Sequence, residues 1–166
     1  DGFSDFQKVD ALGARYVEVY KGGNALRFGG AQLGGAVNLV TPNGKTAQSP
    51  NLVRPEGGSF DTYRGQVALA RQVGQWDFYG SFSAARSDGY RVNSGLEQYR
   101  GTLNIGYSFG GDNEVRLIAY AADINQDVPG TLSLANALTT PRAAGAGVVA
   151  NKWARDQDIQ RVTLQT

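Results

Sequence analysis

From residue 51 onward, apolar and polar positions alternate with a period of two, the pattern of strands that have one apolar and one wet face. The clearest run is Tyr99 to Phe109. Tyr99, Gly101, Leu103, Ile105, Tyr107 and Phe109 fall on one face, and Arg100, Thr102, Asn104, Gly106 and Ser108 on the other. At about 3.3 Å per residue this run spans roughly 33 Å, which a tilt of about 40° reduces to about 25 Å of height. Aromatic residues stand at both ends. Trp76 to Arg86 repeats the theme, with Trp76, Phe78, Gly80, Phe82 and Ala84 opposed to Asp77, Tyr79, Ser81, Ser83 and Ala85.

Two further runs are less regular. Tyr63 to Val73 places Val67 and Leu69 on the apolar face together with Arg71, whose charge must snorkel past an end of the apolar zone. Glu114 to Ala122 opposes Val115, Leu117, Ala119 and Ala121 to a face that Ile118 and Tyr120 make less polar. With Asn51 to Glu56 and Asp158 to Leu164, the pattern predicts about six strands.

The connections alternate in length. Val73-Gly74-Gln75 and Gly110-Gly111-Asp112-Asn113 read as tight hairpin turns, whereas Ser87 to Gln98 and Asn125 to Arg155 are long. Short turns on one side and long loops on the other suit a membrane β-barrel, which hydropathy windows miss because its lipid-facing and lumen-facing residues alternate. No run approaches the eighteen or so apolar residues of a membrane helix, and no signal peptide opens the chain.

Before residue 51 the pattern changes. Tyr16-Val17-Glu18-Val19-Tyr20-Lys21 reads as a short strand, and Ala36-Val37-Asn38-Leu39-Val40 as a second. Between them lie the pairs Gly22-Gly23, Gly29-Gly30 and Gly34-Gly35, which permit positive φ and close approach of backbone to backbone. On the glycines alone this is a hairpin that any β-protein could contain.

The order of residues over 16–42 is more specific. It resembles the last part of the plug domain of TonB-dependent outer-membrane receptors: a V-E-V-x-[RK]-G strand, an A-x-x-[YF]-G loop met by Ala25 to Gly29, and a G-G-x-[VI]-N-x-[VI]-T strand met by Gly34 to Thr41. The resemblance implies a mainly β fold, a fragment of a plugged antiparallel transmembrane barrel of about 22 strands when complete. It also implies a division of the chain into the end of the plug at 1–44, a connection at 45–50 and the first barrel strands at 51–166. Asp127-Val128-Pro129-Gly130-Thr131-Leu132 is similar to the x-x-P-G-x-L opening of an extracellular loop in siderophore-type receptors.

Composition narrows the chemistry. Among 166 residues there are 23 glycines and no Met, Cys or His, and the net charge is +1. Lack of Met leads to the expectation of a fragment or processed product, with the TonB-contact segment and most of the barrel lying outside it. Without Cys or His, thiolate nucleophiles, the common triads and His-based metal sites are excluded within the chain. Near-neutral charge without a polybasic run argues against nucleic acid as a partner. No enzyme activity, cofactor or metal is expected.

Implied by the resemblance, the function is TonB-dependent uptake of a scarce extracellular nutrient, a ferric siderophore or similar iron chelate, across the outer membrane of a Gram-negative bacterium, with the TonB complex and outer-membrane lipid as partners. Candidate ligand contacts are Arg27 in the glycine loop, Arg64 and Arg100 on wet strand faces, and Arg91 in a long loop. Guanidinium binds carboxylate bidentately and keeps its charge. Each of these arginines has a structural alternative, a bond to a plug or barrel carboxylate such as Glu18. Two other classes compete: a soluble β-rich binding or adhesin module, and a carbohydrate-active enzyme using Asp88 and Glu97 as acid and base.

Two local motifs fail on inspection. Gly44-Lys45-Thr46 lacks the glycine that a phosphate-binding loop needs at position 39, which is Leu. Asp123-Ile124-Asn125-Gln126-Asp127 opens like a calcium loop, but Val128 replaces the turn glycine and Leu134 the terminal Glu, so a solvated loop is expected there.

Overall fold

A computed structural model describes residues 13–23, 34–111 and 113–166. The described chain is mainly β and antiparallel throughout. β1 (Tyr16–Lys21) and β2 (Gly35–Val40) form a two-stranded hairpin in which Glu18 faces Asn38 and Lys21 faces Gly35. Gly35 has φ 141°, and a Cβ there would lie 2.6 Å from the Tyr20 carbonyl oxygen, so this position admits only glycine. Residues 41–50 lead to the second sheet.

That sheet has six strands in chain order: β3 (Asn51–Gly58), β4 (Thr62–Val73), β5 (Trp76–Ser87), β6 (Leu96–Phe109), β7 (Asn113–Asp127) and β8 (Ala154–Gln165). Every neighbour pair is antiparallel. Among the described residues β3 and β8 are edges, each paired on one side. No described helix is long and apolar enough to cross a membrane, which says nothing of strands.

The period-two pattern sorts the faces as expected, and with an inverted polarity. Leu103 is 43% exposed while its neighbour Asn104 is 1% exposed. Val67, Leu69, Trp76, Phe78, Phe82, Tyr99 and Leu117 lie exposed with Leu103, whereas Gln66, Asp77, Ser83, Asn104 and Arg116 are buried. A water-soluble antiparallel sheet is apolar inside and polar outside; this sheet is the reverse. Its covered face is not uniformly polar, since Ala70, Tyr79, Ala122 and Ile124 are buried there too.

On the exposed face aromatic pairs set the strand register. Trp76 faces Tyr107 with ring centroids 4.7 Å apart, and Phe78 and Phe109 continue the row at 6.1 Å from Trp76 and Tyr107 respectively. Phe82 lies opposite Gly101 and stacks on Tyr99.

Several expected boundaries move. β3 continues two residues past Glu56 to Gly58, and a turn at 59–61 follows with Phe60 and Asp61 at positive φ. This short turn lies at the same end of the sheet as the long connections 88–95 and 128–153, so that end is not uniformly long-looped. β7 runs to Asp127 and not to Ala122, because Gln98, Glu97 and Leu96 continue the ladder opposite Ile124, Asn125 and Gln126. Asp123 to Asp127 is therefore strand, not a solvated loop, and Ile124 is among the most buried side chains. The long connection narrows to 128–153 and contains a short helix, α1 (Leu134–Thr139), whose N-cap Ser133 accepts from the Asn136 amide. Arg71 does not reach along the apolar face. It bends to the sheet end, donating to the carbonyls of Pro50 and Ala70 and to Asn51 Oδ1.

Candidate functional site

Among the described residues a strongly bonded charged cluster lies on the covered face, near the end of the sheet marked by the tight turns. β5 supplies Asp77, β6 supplies Asn104, Gly106 and Ser108, and β7 supplies Glu114 and Arg116. Register places Asp77 opposite Gly106 and Gly106 opposite Arg116, so acid and base flank a residue without a side chain. A Cβ on Gly106 would fall on the Arg116 guanidinium and on Asp77 Oδ2. The missing side chain is what lets the pair close.

Arg116 donates Nη1 to Asp77 Oδ1 at 3.0 Å and Nη2 to Asp77 Oδ2 at 2.8 Å, the paired geometry that a planar guanidinium offers a carboxylate. Nη1 also donates to Asn104 Oδ1 at 2.7 Å, and Nε to Glu114 Oε1 at 2.9 Å. The Asp77 side chain is wholly buried. Isolated burial of either charge would be prohibitive; mutual pairing with full hydrogen bonding makes it tolerable.

The segment that follows the hairpin closes over this cluster. Asn104 Nδ2 donates to the Pro42 carbonyl at 2.8 Å, and the Gly44 amide donates to Asp77 Oδ1 at 3.0 Å. Lys45 Nζ donates to Ser108 Oγ at 2.7 Å and to Glu114 Oε2 at 3.1 Å, with Asp77 Oδ2 at 3.7 Å. Asn43 shapes the turn by accepting from the amides of Lys45 and Thr46. A Cβ on Gly44 would collide with the Arg71 carbonyl oxygen and the Phe78 amide nitrogen. The Gly44-Lys45-Thr46 triplet, discarded as a phosphate loop, is thus a docking turn.

The predicted ligand residues do not converge. Arg64 and Arg100 share the covered face, on rows opposite Glu56 and Ser83 respectively. Arg64 pairs with Glu56 at 3.3 Å, half-exposed on both sides. Arg91 lies at the opposite end, where its guanidinium donates to the carbonyls of Ala143, Gly130 and Pro129 at 3.0, 2.8 and 3.1 Å. It staples the loop 88–95 to the loop 128–153. Arg27, with Gly29 and Gly30, lies outside the described residues. Gly22 has φ 58° just after β1, no described residue comes within 4 Å of a Cβ built on Gly23 or Gly34, and Gly35 is the constrained position described above. Glu18, offered as an arginine partner, accepts from Tyr20 and Asn38 within the hairpin.

The loop end is itself ordered by cross-links between connections. Arg142 stacks over Phe60 and Tyr90 at 5.5 and 5.4 Å from the ring centres, joining three connections. Asn93 Nδ2 bridges the carbonyls of Val128 and Trp153. The Pro129-Gly130 dipeptide sits inside this cap, where Val148 is 1% exposed and leaves no room for a side chain on Gly130. Asp88 pairs with exposed Arg86, and Glu97 accepts from Tyr99, so neither carboxylate is aimed at the other. Among the described residues no group of three or more acidic side chains is placed to hold a metal ion.

The cluster at Asp77 was missed in the sequence because no single residue in it is unusual. Its signal was an acid on the wet face of one strand and a base on the wet face two strands away, aligned only once register is known. No family model matches the chain.

Proposed function

We propose that the six-stranded sheet is part of the wall of a plugged transmembrane β-barrel, that the hairpin is the end of its plug, and that the protein takes up a scarce extracellular nutrient, a ferric siderophore or similar iron chelate, by TonB-dependent transport across the outer membrane. The observation that carries this reading is the inverted polarity of the sheet. A face bearing Val67, Leu69, Phe82, Leu103 and Leu117 lies exposed, while Asp77, Asn104 and Arg116 are buried behind it. Lipid is the solvent that such a face suits, and a lumen filled by a plug is the surrounding that such a polar back suits. Six strands are too few to enclose a plug, so further strands complete the wall. The plug-like order of residues 16–42 supplies the link to TonB and to iron.

A soluble binding module would need protein over the same apolar face, and among the described residues none covers it. The test is fractionation of the source cells with an antibody to this segment, with and without iron starvation. A band confined to the outer membrane and induced by starvation supports the receptor and iron together. A soluble band, unchanged by iron, overturns both.

A further inference from the structure

Asn-Gly occurs once in the sequence, at Asn43-Gly44, and it falls in the docking turn. In a free chain this dipeptide readily loses ammonia, because glycine puts no side chain in the way as its nitrogen turns toward the Asn side chain. The Gly44 nitrogen gives up its proton and bonds to Asn43 Cγ. The Cγ–Nδ2 bond breaks, and Nδ2 leaves with that proton as ammonia. Water then opens the five-membered imide, either at Cγ to give aspartate or at the main-chain carbonyl carbon to give isoaspartate, which has one more atom in its backbone.

The docked turn restrains every group in this reaction. The Gly44 amide donates to Asp77 Oδ1 at 3.0 Å, so removing its proton would set a second negative charge against a carboxylate. Asn43 Oδ1 accepts from the Lys45 and Thr46 amides at 3.0 and 2.8 Å, which fixes the side chain. The Asn43 amide donates to Thr46 Oγ1 at 3.1 Å, and its carbonyl accepts from the Thr46 and Ala47 amides at 3.2 and 3.0 Å. The Arg71 carbonyl and the Phe78 amide crowd Gly44, leaving it no clearance to rotate. Water is not what the site lacks, since Asn43 is only half-buried.

We infer that Asn43-Gly44 is a latent deamidation site which docking on Asp77 keeps unreactive, and that isoaspartate formed before docking bars the turn from its seat. Conversion to aspartate keeps the side-chain oxygen that the Lys45 and Thr46 amides use. Isoaspartate instead displaces Gly44 by one backbone atom from Asp77 Oδ1, at a position with no spare room. The site therefore records time spent undocked, whatever the cargo.

In the experiment, full-length protein folded in detergent micelles is incubated at mildly alkaline pH beside the same protein in denaturant. Peptides containing residue 43 are followed by mass spectrometry, with aspartate and isoaspartate resolved by fragmentation. Ammonia loss at 43 should be slower by about tenfold or more in the folded protein, because only molecules with the turn open react. Arg116→Gln, which takes away the partner that holds Asp77, should move the folded rate toward the denatured one. Lys45→Ala, which keeps the buried pair and loosens the turn, should do so in part and serves if Arg116→Gln does not fold. A folded rate equal to or above the denatured one overturns the inference; the two amides on Oδ1 would then be stabilising the developing oxyanion, not clamping the side chain. Protein aged in denaturant and refolded decides the second part. Asn43→Asp should recover the wild-type unfolding midpoint and the isoaspartate form should not; equal recovery overturns the bar to docking.

Discussion

Arg116 and Asp77 stand on strands two apart and close on each other over Gly106, with both carboxylate oxygens engaged at 3.0 and 2.8 Å. Removing one partner leaves the other charge buried, which costs about 3–5 kcal/mol. Asp77→Asn and Arg116→Gln are therefore expected to lower the unfolding midpoint of the assembled protein in denaturant, whereas Asp77→Leu combined with Arg116→Met should recover much of the loss. Equal damage from the single and double variants would show that the pair is not what matters at this position.

Gly106→Ala tests the same pair without touching a charge. Its methyl group would occupy the position of the guanidinium and of Asp77 Oδ2, so the pair must separate. Overpacking of this kind costs about 1–3 kcal/mol, and the loss should appear in the same denaturant titration. Gly101→Ala, on the apolar face, where the nearest atom to an added Cβ is the Ser81 carbonyl oxygen at 4.0 Å, is the control expected to change little.

Leu103 and Ile105 belong to the face proposed to meet lipid. Leu103→Arg and Ile105→Arg should each cost about 2–4 kcal/mol at mid-depth and reduce assembly into the membrane, measured as the heat-resistant folded band on gels. Thr102→Arg, one residue away on the covered face, should assemble far better. Normal assembly of Leu103→Arg and Ile105→Arg would remove the membrane assignment.

Arg91 holds the long connection through three carbonyl groups. Arg91→Ala removes that donor fork; the Pro129 carbonyl keeps the Gly145 amide, while the half-buried Ala143 and Gly130 carbonyls lose the guanidinium, at up to about 1–3 kcal/mol each, and the change should speed proteolysis within 128–153. Arg91→Lys should rescue poorly, because one ammonium cannot reproduce the planar fork. Unchanged cleavage in both variants would show that the loop is held by other contacts.

Arg64 and Arg100, both on the covered face, are the described arginines proposed to meet an anionic cargo. Arg100→Ala and Arg64→Ala should weaken binding of an anionic ferric chelate by about 1.5–3 kcal/mol for each charged hydrogen bond lost, seen in equilibrium binding to the purified protein, and leave a neutral chelate unaffected. Equal loss for both chelates would assign these residues to the wall alone.

The existence, order and facing of the β5 and β6 strands were legible along the chain because a strand's side chains alternate regardless of what lies on either side. For the same reason Arg64, Arg100 and Asn104 could be placed on one face before any fold was known. The ends of the strands were not legible: β7 passes through a calcium-like Asp123 to Asp127 because its neighbour β6 offers a ladder there, and that offer comes from pairing, not from the segment itself. The sequence by itself determined which residues share a face and which segments turn. Only the tertiary structure decided what those faces meet: that Gly106 yields its space to Arg116 and Asp77, that Gly44-Lys45-Thr46 docks upon them, and that Arg91 serves two loops. Each of these depends on register across strands and on contacts between residues far apart in the chain, which local periodicity does not encode.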